Sequence, residues 1–149
     1  MQLAARYAAV VDDPARLDEW PNFFADEASY VVTTKRDLAE GGRVAIMMDD
    51  TKGKILDRPF IINDIWAGHY DPQATTHTVS IPVIEEVGDG SLRCRTGFTV
   101  DIVKEAGNTY RLAGEYVDEI VGPPEQLRFR SKLVVLSNDV LPTYFVRPL

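Results

Sequence analysis

The chain has 149 residues, 45% of them apolar, enough for one domain with an ordinary hydrophobic core and too few for a multi-domain enzyme. Lys and Arg total 16 against 23 Asp and Glu, a formal charge of −7, so the basic face needed to neutralise nucleic-acid phosphates is missing. The single cysteine, Cys94, excludes an intramolecular disulfide and a cysteine-rich zinc or iron-sulfur site, and points to a reducing cytoplasm.

The first twenty residues carry no basic segment followed by an apolar one, and nowhere do eighteen apolar residues run together, so a soluble chain without a secretion signal is expected. Leu3, Tyr7, Val10 and Val11 fall at helical spacing, and Leu17, Trp20, Phe23 and Phe24 repeat the pattern. Asp13 before Pro14 reads as an N-cap with proline at the first helical position, opening a second helix over about 14–20. Residues 29–34, rich in β-branched and aromatic side chains, predict a strand. A second strand is expected from Arg43 to Met48, after a turn at Gly41-Gly42. Between Lys52 and Trp66 an apolar stripe predicts a helix that Pro59 breaks or kinks.

From Thr76 the texture turns to β, in runs over about 76–87, 91–103, 109–120 and 127–138. Gly88-Asp89-Gly90, Ala106-Gly107-Asn108 and Gly122-Pro123-Pro124 supply the turns. Long strands joined by short turns imply an antiparallel, strongly curved sheet, and the helices all fall in the first half. The expected class is α+β, a sheet with helices on one face, forming a single domain over 1–149.

Little in the chain carries chemistry by itself. A non-haem iron facial triad would consume both histidines, His69 and His77, plus a carboxylate such as Asp71, and nothing in their spacing places them together. Cys94, between Arg93 and Arg95, reads either as a thiol with a lowered pKa or as a cysteine packed on a sheet face. Phosphate loops, dinucleotide fingerprints and a nucleophile elbow are absent. What remains is proton transfer in an apolar pocket, for which Tyr30, Asp64, His77 and Tyr116 are the candidates. Each also has an ordinary role: a buried tyrosine needs one hydrogen-bond partner, and Asp64 near a helix end can be solvated.

Six segments in order carry a resemblance. They are residues 17–30 (LDEWPNFFADEASY), Asp49-Asp50 leading to Leu56-Asp57-Arg58, His77-Thr78-Val79-Ser80, the Gly114-x-Tyr116-x-Asp118 strand, residues 127–136 (LRFRSKLVVL), and the end from Asp139-Val140-Leu141-Pro142 to Arg147-Pro148-Leu149. Together they resemble the small, or beta, subunits of Rieske-type aromatic ring-hydroxylating dioxygenases. The stretch from Phe60 to Thr76 departs from that pattern in being less basic, with Thr76 where a basic residue is common.

The resemblance implies a nuclear-transport-factor-like, or cystatin-like, cone: a curved, mostly antiparallel sheet wrapped around the N-terminal helices. It implies a structural, non-catalytic subunit of an oxidoreductase that adds dioxygen to an aromatic ring in aromatic-compound catabolism. It also implies a cytoplasmic complex of three beta and three alpha subunits, in which reductase and ferredoxin act through alpha. No cofactor is then expected in this chain; the Rieske [2Fe–2S] cluster and the mononuclear iron belong to alpha. The donor count agrees, because a Rieske centre takes two Cys and two His and a facial triad two further His.

A closed three-fold ring needs two different patches per chain, for which the outer faces of the late strands and the apolar tail 141–149 are candidates. That tail packs either on a neighbour or on its own core, and Trp20, Trp66 and Tyr144 suit either an interface or a core. Two other readings stand beside the scaffold: a stand-alone isomerase or dehydratase using Asp64 or His77 with a tyrosine, and a ligand-binding or dimerisation module without chemistry.

Overall fold

A computed structural model describes residues 2–69, 73–105, 107–142 and 145–149. Helix α1 (Gln2–Asp12) buries Tyr7, Ala8, Val10 and Val11, as the apolar spacing requires. Asp13 then caps the next segment through its carboxylate, which accepts from Ala15 N–H at 2.9 Å, with Pro14 in the first position. That segment, Pro14–Phe23, forms the expected second helix, three residues longer than 14–20 and wound as a 3₁₀ helix. Pro21 lies inside it, and its missing N–H removes a rung that an α-helix would need.

Strand β1 (Phe24–Thr34) starts five residues before the expected 29–34, because its first half pairs only through an irregular register. A short helix α2 (Lys35–Ala39), which the sequence pattern did not suggest, follows at once, capped by Thr34 Oγ1 on Asp37 N–H at 3.0 Å. Of the strand expected from Arg43 to Met48, only β2 (Met47–Asp49) forms, antiparallel to β1; residues 43–46 lie outside it. Helix α3 (Lys52–Phe60) begins on Thr51 and passes into a π-helical turn at Ile61–Ile65, where Trp66 N–H reaches Ile61 O at 2.9 Å. Pro59 cannot donate into the ladder, so the expected single helix over Lys52 to Trp66 changes its winding directly after the proline.

The expected run 76–87 is two strands, β3 (Gln73–Val79) and β4 (Val83–Glu86), both antiparallel to β5 (Leu92–Lys104). Between them Ser80 Oγ accepts from Gly97 N–H at 3.0 Å and Pro82 offers no N–H, so a side chain substitutes for the interrupted ladder. Strands β6 (Thr109–Val121) and β7 (Arg128–Leu136) complete one sheet in the order β2-β1-β7-β6-β5-β3, with β4 on the other end of β5. Every pairing is antiparallel except β1 with β7, which brings the first and last strands together in parallel.

Inward residues alternate along β5 (Cys94, Thr96, Phe98, Val100, Ile102) and β6 (Leu112, Tyr116, Asp118, Ile120). They share one core with α1, the 3₁₀ segment and β1. The outward face carries ion pairs instead: Arg95 with Glu115, Arg111 with Asp101 and Arg130 with Glu119 across strands, and Arg130 also with Asp89 of the β4–β5 turn. The tail turns inward. Phe145, Arg147 and Leu149 are buried, so the described part of that segment packs on its own core. Residues Thr143 and Tyr144, and with them the interface candidate Tyr144, lie outside the described residues, as does Ala106 of the expected 106–108 turn. Among the described residues no helix is long and apolar enough to cross a membrane.

Candidate functional site

Three polar clusters sit inside this fold. The first joins α1 to β3. Asp12 Oδ1 lies 2.5 Å from His77 Nδ1 and accepts from Thr75 Oγ1 at 2.9 Å, while Oδ2 accepts from the His77 backbone N–H at 2.8 Å. Burial by itself raises the Asp12 pKa, but the bonds from His77 and Thr75 outweigh it and hold the carboxyl below its usual value. The His77 side chain is fully enclosed and its Nε2 has no partner.

The second cluster seats the tail. Tyr7 donates its hydroxyl to Leu149 O at 2.7 Å and accepts from Trp20 Nε1 at 3.1 Å. Leu149 N–H donates to the Tyr30 hydroxyl at 2.8 Å. Arg147 Nη2 donates to Val11 O at 2.6 Å, and Arg58, paired with the buried Asp49, reaches Val146 O at 3.3 Å. Burial raises the hydroxyl pKa of Tyr7, Tyr30 and Tyr116, so all three are protonated at neutral pH.

The third cluster holds a buried cation. Lys132 Nζ sits 3.2 and 3.3 Å from the two carboxylate oxygens of Asp118, 3.5 Å from the Tyr116 ring centroid and about equally far from the rings of Tyr7 (4.5 Å) and Phe129 (4.6 Å). Phe98 stacks on the opposite partner, Tyr116, at 4.2 Å. Burial pulls the ammonium pKa down and pushes the carboxyl up, and each is opposed by the other's charge. Beside this pair lies a cavity of about 430 Å³, walled by β4, β5, β6 and the first turn of α1, with Cys94, Thr96 and Asp118 on its floor.

The four expected pocket residues do not converge. Tyr30 and Tyr116 both border Tyr7 in the core, one anchoring the tail and the other covering Lys132. His77 is tied to Asp12, and Asp64 is exposed on the π-helical turn. None of the four lines the cavity. The residues that do matter there include two the sequence reading passed over. Asp118 stands two positions after Tyr116 and Lys132 two before Val134, so strand alternation places both on the inward face, but a charged side chain at such a position reads as outward. Cys94 has a pKa raised by burial, which makes it a packed thiol and not an activated one.

The donor set for iron is dispersed. His77 commits Nδ1 to Asp12, His69 is exposed after the π-helical turn, and Cys94 lies on β5. Among the described residues no three His, Cys, Asp or Glu side chains are grouped to hold a metal ion, and Asp71 of the conceivable triad lies outside them. Neither a Rieske cluster nor a mononuclear iron fits the residues described.

Comparison with known proteins places these features. The family described as ring hydroxylating beta subunit matches residues 6–143. The beta 1 subunit of the terminal oxygenase component of terephthalate 1,2-dioxygenase from Comamonas sp is 29% identical over 146 residues, covering 97% of this chain and 93% of the relative. The solved beta subunit assigned to an aromatic-ring-hydroxylating dioxygenase of Novosphingobium aromaticivorans superposes with a TM-score of 0.87 at 24% identity, covering 99% and 93% of the two chains. A protein of the same organism assigned as a scytalone dehydratase superposes at 0.68 with 15% identity, covering 98% and 85%, a likeness of fold.

Proposed function

Because the chain belongs to the ring-hydroxylating beta-subunit family, we propose that it is the small, non-catalytic subunit of a multicomponent dioxygenase acting on aromatic compounds, and that it forms a three-fold ring supporting iron-bearing alpha subunits in the cytoplasm. The observation that carries this reading is the family match over almost the whole chain, with relatives that are themselves small subunits of such dioxygenases. The whole of 1–149 acts as one domain in this reading. The Rieske cluster and the mononuclear iron then reside in alpha, which receives its electrons from reductase and ferredoxin.

The surface supports a ring. A closed ring uses two unlike patches per chain, and the exposed apolar side chains include Ile81 and Val83 beside the β3–β4 break, and Met48, Leu56, Phe60 and Ile65 on β2, α3 and the π-helical turn, which are candidates for the two. The second set includes part of the less basic stretch from Phe60 onward. The tail is not one of these patches, since its described residues are buried in the chain itself. The stand-alone isomerase or dehydratase reading has weaker support, because Asp64 is exposed and neither His77 nor the two tyrosines reaches the cavity.

Light scattering with iron analysis on each peak tests the proposal. The chain expressed alone gives a trimer without iron, and co-expression with the large subunit encoded beside it gives a complex in equal ratio whose iron travels with the large chain. A monomer or dimer that ignores that large subunit overturns it.

A further inference from the structure

We propose that the cavity under the first turn of α1 binds a neutral, mainly apolar aromatic molecule that carries a hydroxyl group. The scaffolding role neither requires nor predicts such a site. A cavity of about 430 Å³ is far larger than the gaps between packed side chains, and an apolar void of ~150 Å³ already takes up benzene. The space here admits two fused rings and falls within the usual size of ligand pockets. Its walls are suited to a ring system, with Leu92, Ile120 and Phe129 on the sheet side and Ile84 at the mouth. The space arises from two features of the backbone. The ladder on β5 is interrupted at Ser80 to Pro82, where Pro82 lines the space, and the other side is laid by α1 at Gln2, Leu3 and the small Ala4.

The floor specifies the polar end of the ligand. Asp118 lines the cavity, whereas Lys132 lies behind it, enclosed by the rings of Tyr7, Tyr116 and Phe129. A carboxylate has about four acceptor positions, and among the described residues the hydrogen bonds to Asp118 come from Lys132 Nζ. Among the described residues the hydrogen-bond contact of the Thr96 hydroxyl is the Cys94 sulfur, at 3.8 Å. Acceptor capacity therefore faces the cavity without a donor, and a ligand hydroxyl supplies one. The same carboxylate selects against anions. The negative end of the Asp118–Lys132 pair is presented to the ligand, and a second carboxylate there would meet like charge in a medium of low dielectric.

Naphthol and naphthoate, which share one ring system and differ in charge at neutral pH, provide the test. Each is titrated into the full chain by equilibrium dialysis, with alkylation of Cys94 as a local reporter. Naphthol binds saturably at one site per chain and slows alkylation; naphthoate binds at least about tenfold more weakly. Ala4→Trp, which fills the cavity from the α1 side, abolishes naphthol binding. Asp118→Asn alone leaves Lys132 unpaired; in Asp118→Asn with Lys132→Met, which removes both charges, the preference for naphthol over naphthoate narrows. Absence of saturable naphthol binding, equal binding of the two probes, or unchanged binding in a folded Ala4→Trp chain overturns the proposal.

Discussion

A lysine that is 2% exposed demands an account of its charge. Lys132 is stabilised by one carboxylate and three ring faces, and the desolvation it suffers is the reason its pKa falls. Removing one member of such a pair leaves the other charge buried alone. Lys132→Met is therefore expected to cost about 3–5 kcal/mol, and adding Asp118→Asn to it recovers a large part. Urea denaturation of the two single variants and the double variant measures this coupling, and additive losses would show that the pair is not acting as a unit. A second residue-scale constraint is Gly114, which faces Leu136 on β7. A Cβ there would stand 2.2 Å from Val135 O and 3.1 Å from the Phe98 ring, so neither backbone nor side chain can make room cheaply. Gly114→Ala is expected to lower stability by about 3 kcal/mol in the same assay.

At the scale of elements, two connections are each made by a single charged side chain, one a carboxylate and one an ammonium, and the carboxylate titrates usefully. Asp12 at the end of α1 fastens that helix to β3 through His77 and Thr75. Its folded pKa is depressed, so its contribution is complete above the unfolded carboxyl value of about 3.9 and is lost as pH falls through the lower folded value. Asp12→Asn is expected to cost about 2 kcal/mol near neutral pH and progressively less below about pH 4, as first the unfolded and then, at lower pH, the folded carboxyl is protonated. Denaturation midpoints across that range check the sign; a difference that grows in acid would contradict it. Lys52 makes the second kind of tie, donating to Pro21 O and Phe24 O at 2.8 and 2.7 Å and so pinning the 3₁₀ segment to the start of α3.

Element boundaries also explain what was hidden in the sequence. Strand alternation correctly places Tyr116 and Asp118 on one face. Counting back from Val134 and Lys132 in twos would turn Arg130 inward, yet Phe129 is the buried residue. The reason is a bulge: Glu119 pairs with Ser131 and Ile120 with Phe129, leaving Arg130 as the extra residue, directed outward to Asp89 and Glu119. A one-residue change of phase exchanges the faces of a strand, and no local pattern announces it. The break at Ser80 to Pro82 was missed for a related reason, since its apolar residues extend the β texture through a proline that the ladder cannot accommodate.

For the whole molecule, closure depends on contacts between the two ends of the chain. Strands β1 and β7 pair in parallel, and Leu149 lies fully buried between the hydroxyls of Tyr7 and Tyr30. Leu149→Ala is expected to lower stability by about 3 kcal/mol, measured by thermal or urea unfolding, whereas a tail that packed only on a neighbour would leave the isolated chain unchanged. Composition and texture alone determined the α+β class, the helices in the first half, the long late strands and their turns, because each depends on local spacing and on the conformations that Gly, Pro and Asp favour. The ordered family segments, read in the same way, pointed to the ring-hydroxylating beta subunits. Tertiary structure decided which charges are buried, where the tail goes and where a cavity opens. Those outcomes depend on register, on a bulge and on residues more than a hundred positions apart, and such long-range geometry leaves no trace in the neighbourhood of any one residue.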